Sequence, residues 1–385
     1  MTKTTAVLVG FIALKFLLHY FLIIPDYDLH RDEYLHLDQA NHLAWEYLSV
    51  PPVSSWIALI ISWLGNSTFA VRFFPALIWA LTILIVWKTV EELKGTLFAC
   101  ALAATGLVFS VLLRINQLFQ PNSLDVFCWT TLYFVLIKYI NSKDNRWLYV
   151  FAAVFAFGFL NKYNVGFLLL GILPAIVLTE QRRLLINQHV YLALGLSLLL
   201  VMPNLIWQYQ HGFPVIHHMT LLAQTQLVKV NRVDFMKEQL LFFVGSLVII
   251  VAGLYGLLVY KPFFKYRLFF FTLVFTLAIF AYFSAKGYYA IGIYPVYLAF
   301  GSVFISVKLH SVWLRATLMV IPVLFFIPLY QVAFPNKTPL EIAQHPERYK
   351  KLGLLRWEDG QDHQLPQDFA DMLGWRELAA KVDAA

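Results

Sequence analysis

The sequence has little charge and almost no cysteine. Only 13% of its 385 residues are charged, whereas an ordinary soluble domain has about a quarter, so a water-soluble enzyme is not expected. The two cysteines, Cys100 and Cys128, both lie in apolar stretches and indicate neither a disulfide framework nor a thiolate metal site. The sequence also lacks a Gly-rich phosphate-binding loop, internal repeats and low-complexity segments.

Hydrophobic residues are abundant instead. They make up 60% of the chain, and aromatic residues make up 17%. This composition excludes disordered, collagen-like and coiled-coil proteins and indicates a protein that crosses the membrane several times. The formal charge of +7 is explained by Lys and Arg in cytoplasmic loops. No basic run with interleaved aromatic residues follows the pattern of nucleic-acid binding, so no nucleic-acid partner is expected.

Apolar segments of about 20 residues are candidate membrane spans. We predict an all-α bundle of about eleven transmembrane helices within residues 1–334, with the first span retained rather than cleaved as a signal peptide. A segment at 53–64 is too short to cross and is expected to lie in the interface or to re-enter. The predicted spans are 5–24, 68–88, 95–113, 122–140, 147–160, 164–179, 188–207, 238–260, 268–284, 289–307 and 313–334.

The distribution of Lys and Arg predicts the sidedness. Basic residues collect in alternate loops when the N-terminus is cytoplasmic, which predicts a multi-pass protein of the inner (plasma) membrane. The first outer loop (25–67), the second large outer loop (208–237) and the tail (335–385) then lie outside the cytoplasm. The tail is polar and closes with an amphipathic helical pattern, so we expect it to begin an extracytoplasmic domain.

The first outer loop concentrates acidic and histidine side chains, which are costly beside a bilayer. The stretch from Asp32 to Tyr47 has no Gly or Pro and predicts a helix that Pro51 and Pro52 end. Asp32, His36 and Gln39 would share one face, with Leu35, Leu43 and Tyr47 on another. The acidic and histidine residues of the loop are Asp26, Asp28, His30, Asp32, Glu33, His36, Asp38, His42 and Glu46.

Three interpretations of these side chains compete. They could form a solvated helix whose charges face water. They could bind a divalent metal, because a His four residues from a carboxylate can share a ligand sphere. One acid could also serve as a catalytic base at the membrane surface. The metal site would use Asp32, His36, Asp38 and His42.

The residues resemble glycosyltransferase family 39, which contains the dolichyl-phosphate-mannose protein mannosyltransferases and has the lipid A aminoarabinose transferases as kin. The resemblance begins with His30-Arg31-Asp32-Glu33-Tyr34 after the first span and continues with Trp45, Tyr47, Pro51 and Pro52. It extends through Gln120 to Asp125, Asn161 to Asn164 and Ala285 to Tyr289, and covers residues 1 to about 335.

The resemblance implies a GT-C fold and an inverting transfer of a sugar from a polyprenyl-phosphate carrier to an acceptor hydroxyl on the outer face. The acceptor would be a protein, lipid A or a cell-surface glycan, and no cofactor is required. Asp32 matches the family's catalytic aspartate, and Glu33 matches the glutamate that orients the acceptor or the sugar. An inverting transfer needs a base on the acceptor side and positive charge near the departing phosphate, and a lipid phosphate leaves without help from an acid.

Further candidates for substrate binding lie in later motifs. The resemblance implies that Asp125 supports the sugar or acceptor, and that Lys286 contacts the carrier phosphate beside Tyr288 and Tyr289. Each has a simpler interpretation, since Asp125 begins a helix and Lys286 could snorkel to the interface. The remaining candidates are Arg31, His42, Arg114 and Lys162, of which the last two could equally snorkel.

The alternative function is that of a transporter or flippase. In either case, membrane lipids are expected as partners of the protein. Transporters usually place ionisable groups near the midplane and show duplicated halves. Here the charges gather toward one face and no duplication is visible, which favours the enzyme. A lid or acceptor platform at 208–237 is a further expectation, and Lys15 and His19 in the first span are expected to pair with an acid or to line a lipid entrance.

Overall fold

Helices account for the regular structure of this chain. The structure is a computed structural model that describes residues 2–384 apart from the side chain of Lys229, and these residues contain no strand beyond one isolated bridge between Arg356 and Asp362. The α-helices are α1 (Lys3–Phe21), α2 (Arg31–Gln39), α3 (Val53–Trp63), α4 (Thr68–Glu92), α5 (Leu97–Val108), α6 (Leu112–Ile115), α7 (Pro121–Ser142), α8 (Arg146–Phe159), α9 (Val165–Val177), α10 (Gln188–Gln210), α11 (Pro214–Thr225), α12 (Arg232–Leu241), α13 (Leu247–Val259), α14 (Arg267–Tyr282), α15 (Pro295–Lys308), α16 (Val312–Ala333), α17 (Pro339–Gln344), α18 (Glu347–Lys351), α19 (Gln367–Ala370) and α20 (Trp375–Asp383). Short 3-10 segments lie at Glu180–Ile186, Leu227–Lys229, Val244–Ser246, Lys261–Tyr266 and Gly287–Ile293.

The long helices make this a multi-pass membrane protein. Within residues 2–384, six helices are long and apolar enough to cross a bilayer, and three bent helix pairs raise the number to as many as nine. Each predicted span coincides with one of these helices or with a shorter apolar helix. The predicted number of eleven is not confirmed, because α5 and α8 have only 12 and 14 residues. The segment predicted to be too short to cross is the 11-residue helix α3.

The predicted span 238–260 is one of the bent pairs. Helices α12 and α13 meet at an angle of 63°, and a 3-10 turn replaces the expected helical turn between them. Gly245 lies in this turn against Pro322 of α16, where an added Cβ would come within 2.9 Å of the Pro322 Cα. The bend thus lies where two segments distant in the sequence pack closely, and the hydrophobicity of the sequence alone does not predict such a contact.

The interior of the bundle is formed by α4, α5, α7, α13 and α15, whereas α1, α10 and α16 leave most of their side chains on the outside. Helices α13 and α15 approach each other closely where Gly253 faces Gly301. A Cβ on Gly301 would collide with the carbonyl oxygen of Ile249. Small residues at such a contact allow two membrane helices to approach each other closely.

The helix in the first outer loop is shorter than predicted. The prediction that it continues to Tyr47 is wrong, because α2 ends at Gln39. The Tyr47 hydroxyl lies 3.1 Å from the carbonyl oxygens of Gln39 and His42 and accepts the Ala44 N–H at 3.2 Å. This hydroxyl supplies partners for backbone groups that a longer helix would have paired internally, and Pro52 caps the start of α3 rather than ending α2.

The C-terminal tail docks on the first outer loop. Its apolar side chains share a small core with the residues that follow α1, and the Asp28 N–H donates to the Met372 carbonyl at 2.8 Å. The amphipathic pattern predicted near the end is two helices, α19 and α20, separated by Gly374 at φ +83°. The members of the small core are Ile23, Tyr27, Leu118, Ile342, Tyr349, Leu355, Phe369 and Met372.

The second large outer loop is mostly helical. Helix α10 extends to Gln210, and α11 follows Phe213 with no buried residue of its own. Helix α12 then returns to the bundle, where Phe235 and Gln239 are buried. The exposed position of α11 leaves it free of the bundle core.

Candidate active site

Asp32 stands at the first turn of α2. His30 caps this helix: its Nδ1 accepts the Asp32 N–H at 3.1 Å, and its own N–H donates to Glu33 Oε2 at 2.8 Å. Such a reciprocal arrangement satisfies donors that a helix start otherwise leaves unpaired. The side chain of Asp32 remains 38% exposed, so its carboxylate is accessible from outside.

Glu33 points the other way and is fully buried. Its Oε1 accepts the N–H of Phe119 at 2.7 Å, which ties the first outer loop to the segment before α7. Burial raises the pKa of Glu33, and the two backbone N–H groups and Arg72 oppose this rise. With both oxygens engaged by backbone, Glu33 holds the loop in place, while its neighbour Asp32 faces outward.

A chain of polar contacts, here called the polar relay, joins Asp32 to Lys162. Gln120 Nε2 donates to Asp32 Oδ2 at 3.1 Å, and Asn122 Nδ2 donates to Gln120 Oε1 at 3.1 Å. Lys162 Nζ then donates to Asn122 Oδ1 at 2.8 Å. The relay brings together the first outer loop, the start of α7 and the turn between α8 and α9.

Lys162 lies against aromatic rings at the far end of the relay. Its Nζ is 4.7 Å from the ring centre of Tyr289 and 5.2 Å from that of Tyr288, which is the distance range of cation–π attraction. Burial lowers the pKa of Lys162, while Asp125 opposes this effect and the charge of Lys286 adds to it. Lys162 and the two tyrosines, which come from distant parts of the sequence, therefore meet at one end of the bundle.

Asp125 is buried beside this cation. Trp129 Nε1 donates to its Oδ1 at 2.9 Å and Asn164 Nδ2 donates to its Oδ2 at 2.8 Å. The same Asn164 amide donates to the carbonyl of Tyr289 at 2.7 Å. Asp125 thus anchors the Asn161–Asn164 turn and the segment with Tyr289 to α7.

Lys286 contacts the tail and the second outer loop. Its Nζ lies 2.5 Å from Glu358 Oε1 and 2.7 Å from Gln226 Oε1. Gly287 follows, close enough to Glu238 that a Cβ would collide with the carboxyl group, and its carbonyl accepts from Gln239 at 3.0 Å. Helix α12 therefore fixes the backbone that presents Lys286.

The other candidates are distributed around this site. Arg114 is buried, with its Nη2 3.6 Å from Asp368 Oδ2 and its guanidinium 5.9 Å from the Phe369 ring. Arg31 is half-exposed and lies 3.3 Å from Asp32 Oδ1. His42 is exposed in the turn after α2, and within residues 2–384 no hydrogen bond joins its side chain to the polar relay.

The carboxylates and histidines of the first outer loop do not form a metal-binding group in the described part of the chain, where no three His, Cys, Asp or Glu side chains are placed to hold an ion. His36 Nδ1 lies 3.1 Å from Gln39 Oε1 instead, and both side chains are buried. Lys15 is also buried, and its Nζ contacts His19 Nδ1 at 3.2 Å.

Sequence reasoning missed the amides of the relay and assigned no role to Glu46. Gln120, Asn122 and Asn164 lie in the motifs that carry the resemblance, but neutral amides gave no chemical signal of their own. Glu46 is buried, and it is hydrogen-bonded by the Tyr163 hydroxyl and by Asn204 Nδ2 at 2.6 Å. Through Tyr163, this acid holds the turn that carries Lys162.

Solved structures define the class of fold. The chain is similar to ArnT from Cupriavidus metallidurans bound to undecaprenyl phosphate, with a TM-score of 0.63 and 15% identity over 80% of this chain and 61% of ArnT. It is also similar to the Archaeoglobus fulgidus oligosaccharyltransferase tethered with an acceptor peptide, with a TM-score of 0.57 and 12% identity over 96% of this chain and 60% of that one. The fold is therefore the GT-C fold of membrane glycosyltransferases, as predicted.

Sequence comparison finds a family model that matches part of the chain. Residues 49–207 match the family model described as dolichyl-phosphate-mannose-protein mannosyltransferase. This range begins after Asp32 and includes Gln120, Asp125 and Lys162. The lipid A galacturonosyltransferase RgtD of Rhizobium johnstonii (strain DSM 114642 / LMG 32736 / 3841) is 24% identical over 207 residues, which are 51% of this chain and 43% of RgtD. The chain thus spans less than half of this relative and about three-fifths of the two solved structures.

Proposed function

We propose that this protein transfers a sugar from a polyprenyl-phosphate carrier to an acceptor hydroxyl, with inversion at the anomeric carbon and without a cofactor. The observation that carries the proposal is the polar relay from Asp32 to Lys162. An inverting transfer needs a base beside the acceptor and positive charge beside the leaving phosphate. The relay holds an accessible carboxylate and a cation at its two ends with neutral amides between them.

In this mechanism Asp32 takes the proton from the acceptor hydroxyl as its oxygen attacks the anomeric carbon. The bond between that carbon and the phosphate oxygen breaks, and the phosphate departs with the electron pair. Lys162 and Lys286 stabilise the negative charge on the departing phosphate. The two cations are close enough that the charge of Lys286 helps to lower the pKa of Lys162, after the larger effect of burial.

The remaining groups support this arrangement. Asp125 holds Asn164 and thereby the turn with Lys162, while Tyr288 and Tyr289 offer ring faces next to that cation. Ring faces suit the apolar face of a sugar as well as an ammonium group. Arg31 and Arg114 each contact an acidic side chain of the tail.

We further propose that the site opens on the extracytoplasmic side of the inner membrane. The support is the alternation of Lys and Arg between loops, which places the first outer loop outside when the N-terminus is cytoplasmic. The relatives are consistent with a lipid-phosphate donor, since ArnT was solved with undecaprenyl phosphate and the Archaeoglobus fulgidus oligosaccharyltransferase AglB with dolichol-phosphate.

Membranes that contain the protein, supplied with a radiolabelled sugar on polyprenyl phosphate, test the proposal. We expect label to appear in the protein, lipid A or glycan fraction, and Asp32→Asn to abolish it. Asp26→Asn is the matched control, because Asp26 lies in the same loop, is exposed and takes no part in the relay. Full transfer by Asp32→Asn would remove the base assignment.

The same membranes distinguish the transporter. A flippase would move the labelled lipid across the bilayer without transferring its sugar. The acceptor fractions would then carry no label, either with the wild type or with Asp32→Asn. The location of the charges at one end of the bundle favours the transferase, since transporters place their binding sites near the midplane.

A further inference from the structure

His30 lies between two carboxylates, one from the first outer loop and one from the tail. Its Nδ1 is 3.9 Å from Asp32 Oδ2, and its Nε2 is 3.7 Å from Asp371 Oδ2. The side chain of His30 is only 4% exposed. The ring thus forms a buried link between the tail and the residue that we propose as the base.

The hydrogen bond at Nδ1 determines which ring nitrogen carries the proton. A backbone N–H can only donate, so the Asp32 N–H at 3.1 Å requires Nδ1 to be an unprotonated acceptor. The proton of a neutral ring is then on Nε2. This atom is buried and has no hydrogen-bond partner within residues 2–384, and the Asp371 carboxylate is the acidic group it faces.

The tail holds Asp371 in this position through its backbone. The Asp371 carbonyl accepts the Arg31 N–H and Trp375 Nε1, both at 2.9 Å. The guanidinium of Arg31 also lies between the two acids, 3.3 Å from Asp32 Oδ1 and 3.4 Å from Asp371 Oδ2. Partial burial raises the pKa of Asp371, and Arg31 and His30 oppose the rise.

We propose that Asp371 is a positioning residue for Asp32 and acts through His30. Its carboxylate keeps the imidazole proton on Nε2, so that Nδ1 accepts the Asp32 amide and fixes the first turn of α2. Its carboxylate also places a negative charge near Asp32, across the imidazole ring. The effect on Asp32 as a base rests on the proposed function. The geometric part, in which Asp371 fixes the His30 ring and thereby the first turn of α2, does not depend on that function.

Hydrogen exchange tests the geometric part without any substrate. In the full-length protein in detergent, Asp371→Asn is expected to speed exchange of the Asp32 amide about fivefold, the factor that corresponds to one ordinary hydrogen bond. Glu377→Gln is the matched control, because Glu377 lies in the same tail, is exposed and pairs with Lys381. Asp371→Glu should retain slow exchange.

Asp371→Asn could also speed exchange by loosening the tail, and a second variant distinguishes this cause from an effect through His30. Asn is a good helix cap, so His30→Asn should keep an acceptor for the Asp32 amide but remove the ring proton. In the His30→Asn background, changing Asp371 to Asn should then leave the exchange of that amide unchanged. A further fivefold acceleration there would mean that Asp371 acts by anchoring the tail and would overturn the proposal.

The pH dependence of transfer tests the electrostatic part. The charged or titratable groups around Asp32 are His30, Arg31, His36 and Asp371. With Asp371→Asn, the acidic limb of the kcat profile should move to lower pH and kcat should fall about fivefold, with the KM for the donor unchanged. If neither the exchange nor the limb changes, the positioning role is rejected while the transferase proposal stands. If the wild type transfers no sugar, the proposed function fails and the exchange experiment still decides the positioning role.

Discussion

Gln120→Glu places a negative charge directly beside Asp32. In the wild type, Gln120 Nε2 donates to Asp32 Oδ2 at 3.1 Å, and Gln120 Oε1 accepts from Asn122. Glutamate has nearly the same shape and can still accept from Asn122. The variant therefore replaces one attractive contact with the repulsion of two carboxylates and leaves the packing intact.

The size of the effect follows from the distance. Two unit charges 3.1 Å apart repel by about 1.3 kcal/mol in water and about 5 kcal/mol at an effective dielectric constant of about 20. Because Asp32 is 38% exposed, solvent screening brings the value toward the lower figure. A repulsion of about 1.5 kcal/mol corresponds to about one pH unit in the protonation of the carboxylate pair that the variant creates.

The assay is the pH profile of sugar transfer by the solubilised protein. A base must be deprotonated, so this repulsion moves the acidic limb of the kcat profile up by about one pH unit. Gln120→Leu should lower kcat without this shift. Asn66→Asp adds the same charge to the exposed turn between α3 and α4 and should change neither quantity. An acidic limb that stays in place in Gln120→Glu would refute Asp32 as the base.

Three further predictions concern stability and donor binding. Burial raises the pKa of Glu33, so its contribution to stability is full below about pH 4 and declines as the pH rises through the raised pKa. In melting experiments, the wild type should therefore lose stability relative to Glu33→Gln as the pH increases. A difference between the two proteins that stays constant with pH would contradict this. Gly301→Ala should lower the melting temperature strongly because its Cβ would collide with the Ile249 carbonyl, whereas Gly166→Ala, which has open space, should not. Glu358→Gln should lower the KM for the donor, because loss of its ion pair with Lys286 leaves that cation more able to bind phosphate. The decrease should be at most about fivefold, since a partly exposed ion pair contributes at most about 1 kcal/mol. A higher KM would show that Glu358 instead positions Lys286.

Local sequence signals located the helices and the main candidates of the site. Each predicted span contains a helix because about 20 apolar residues in a bilayer must pair their backbone groups internally. The start of α2 is also local, since His30 and Glu33 form a capping arrangement over three residues. The alternation of spans was sufficient to expect the motifs with Asp32, Asp125, Lys162 and Lys286 at one end.

The different environments of Asp32 and Glu33 depended on distant residues. The two acids are neighbours in the sequence, and nothing local distinguishes an exposed carboxylate from a buried one. Their roles separate because Phe119 donates to Glu33 while Gln120 donates to Asp32. The end of α2 was likewise unpredictable, because Tyr47 returns to the carbonyl of Gln39 through a turn rather than a helix.

The sequence by itself determined that the chain forms a membrane-spanning helical bundle with an acidic first outer loop, because hydrophobic length and helix capping act within a few turns. Only the tertiary structure decided that the amides of Gln120 and Asn122 link Asp32 to Lys162, and that Asp371 of the tail lies beside His30. These contacts join residues 40 to more than 300 positions apart. Their geometry is set by how the helices pack, and no local pattern in the sequence encodes it.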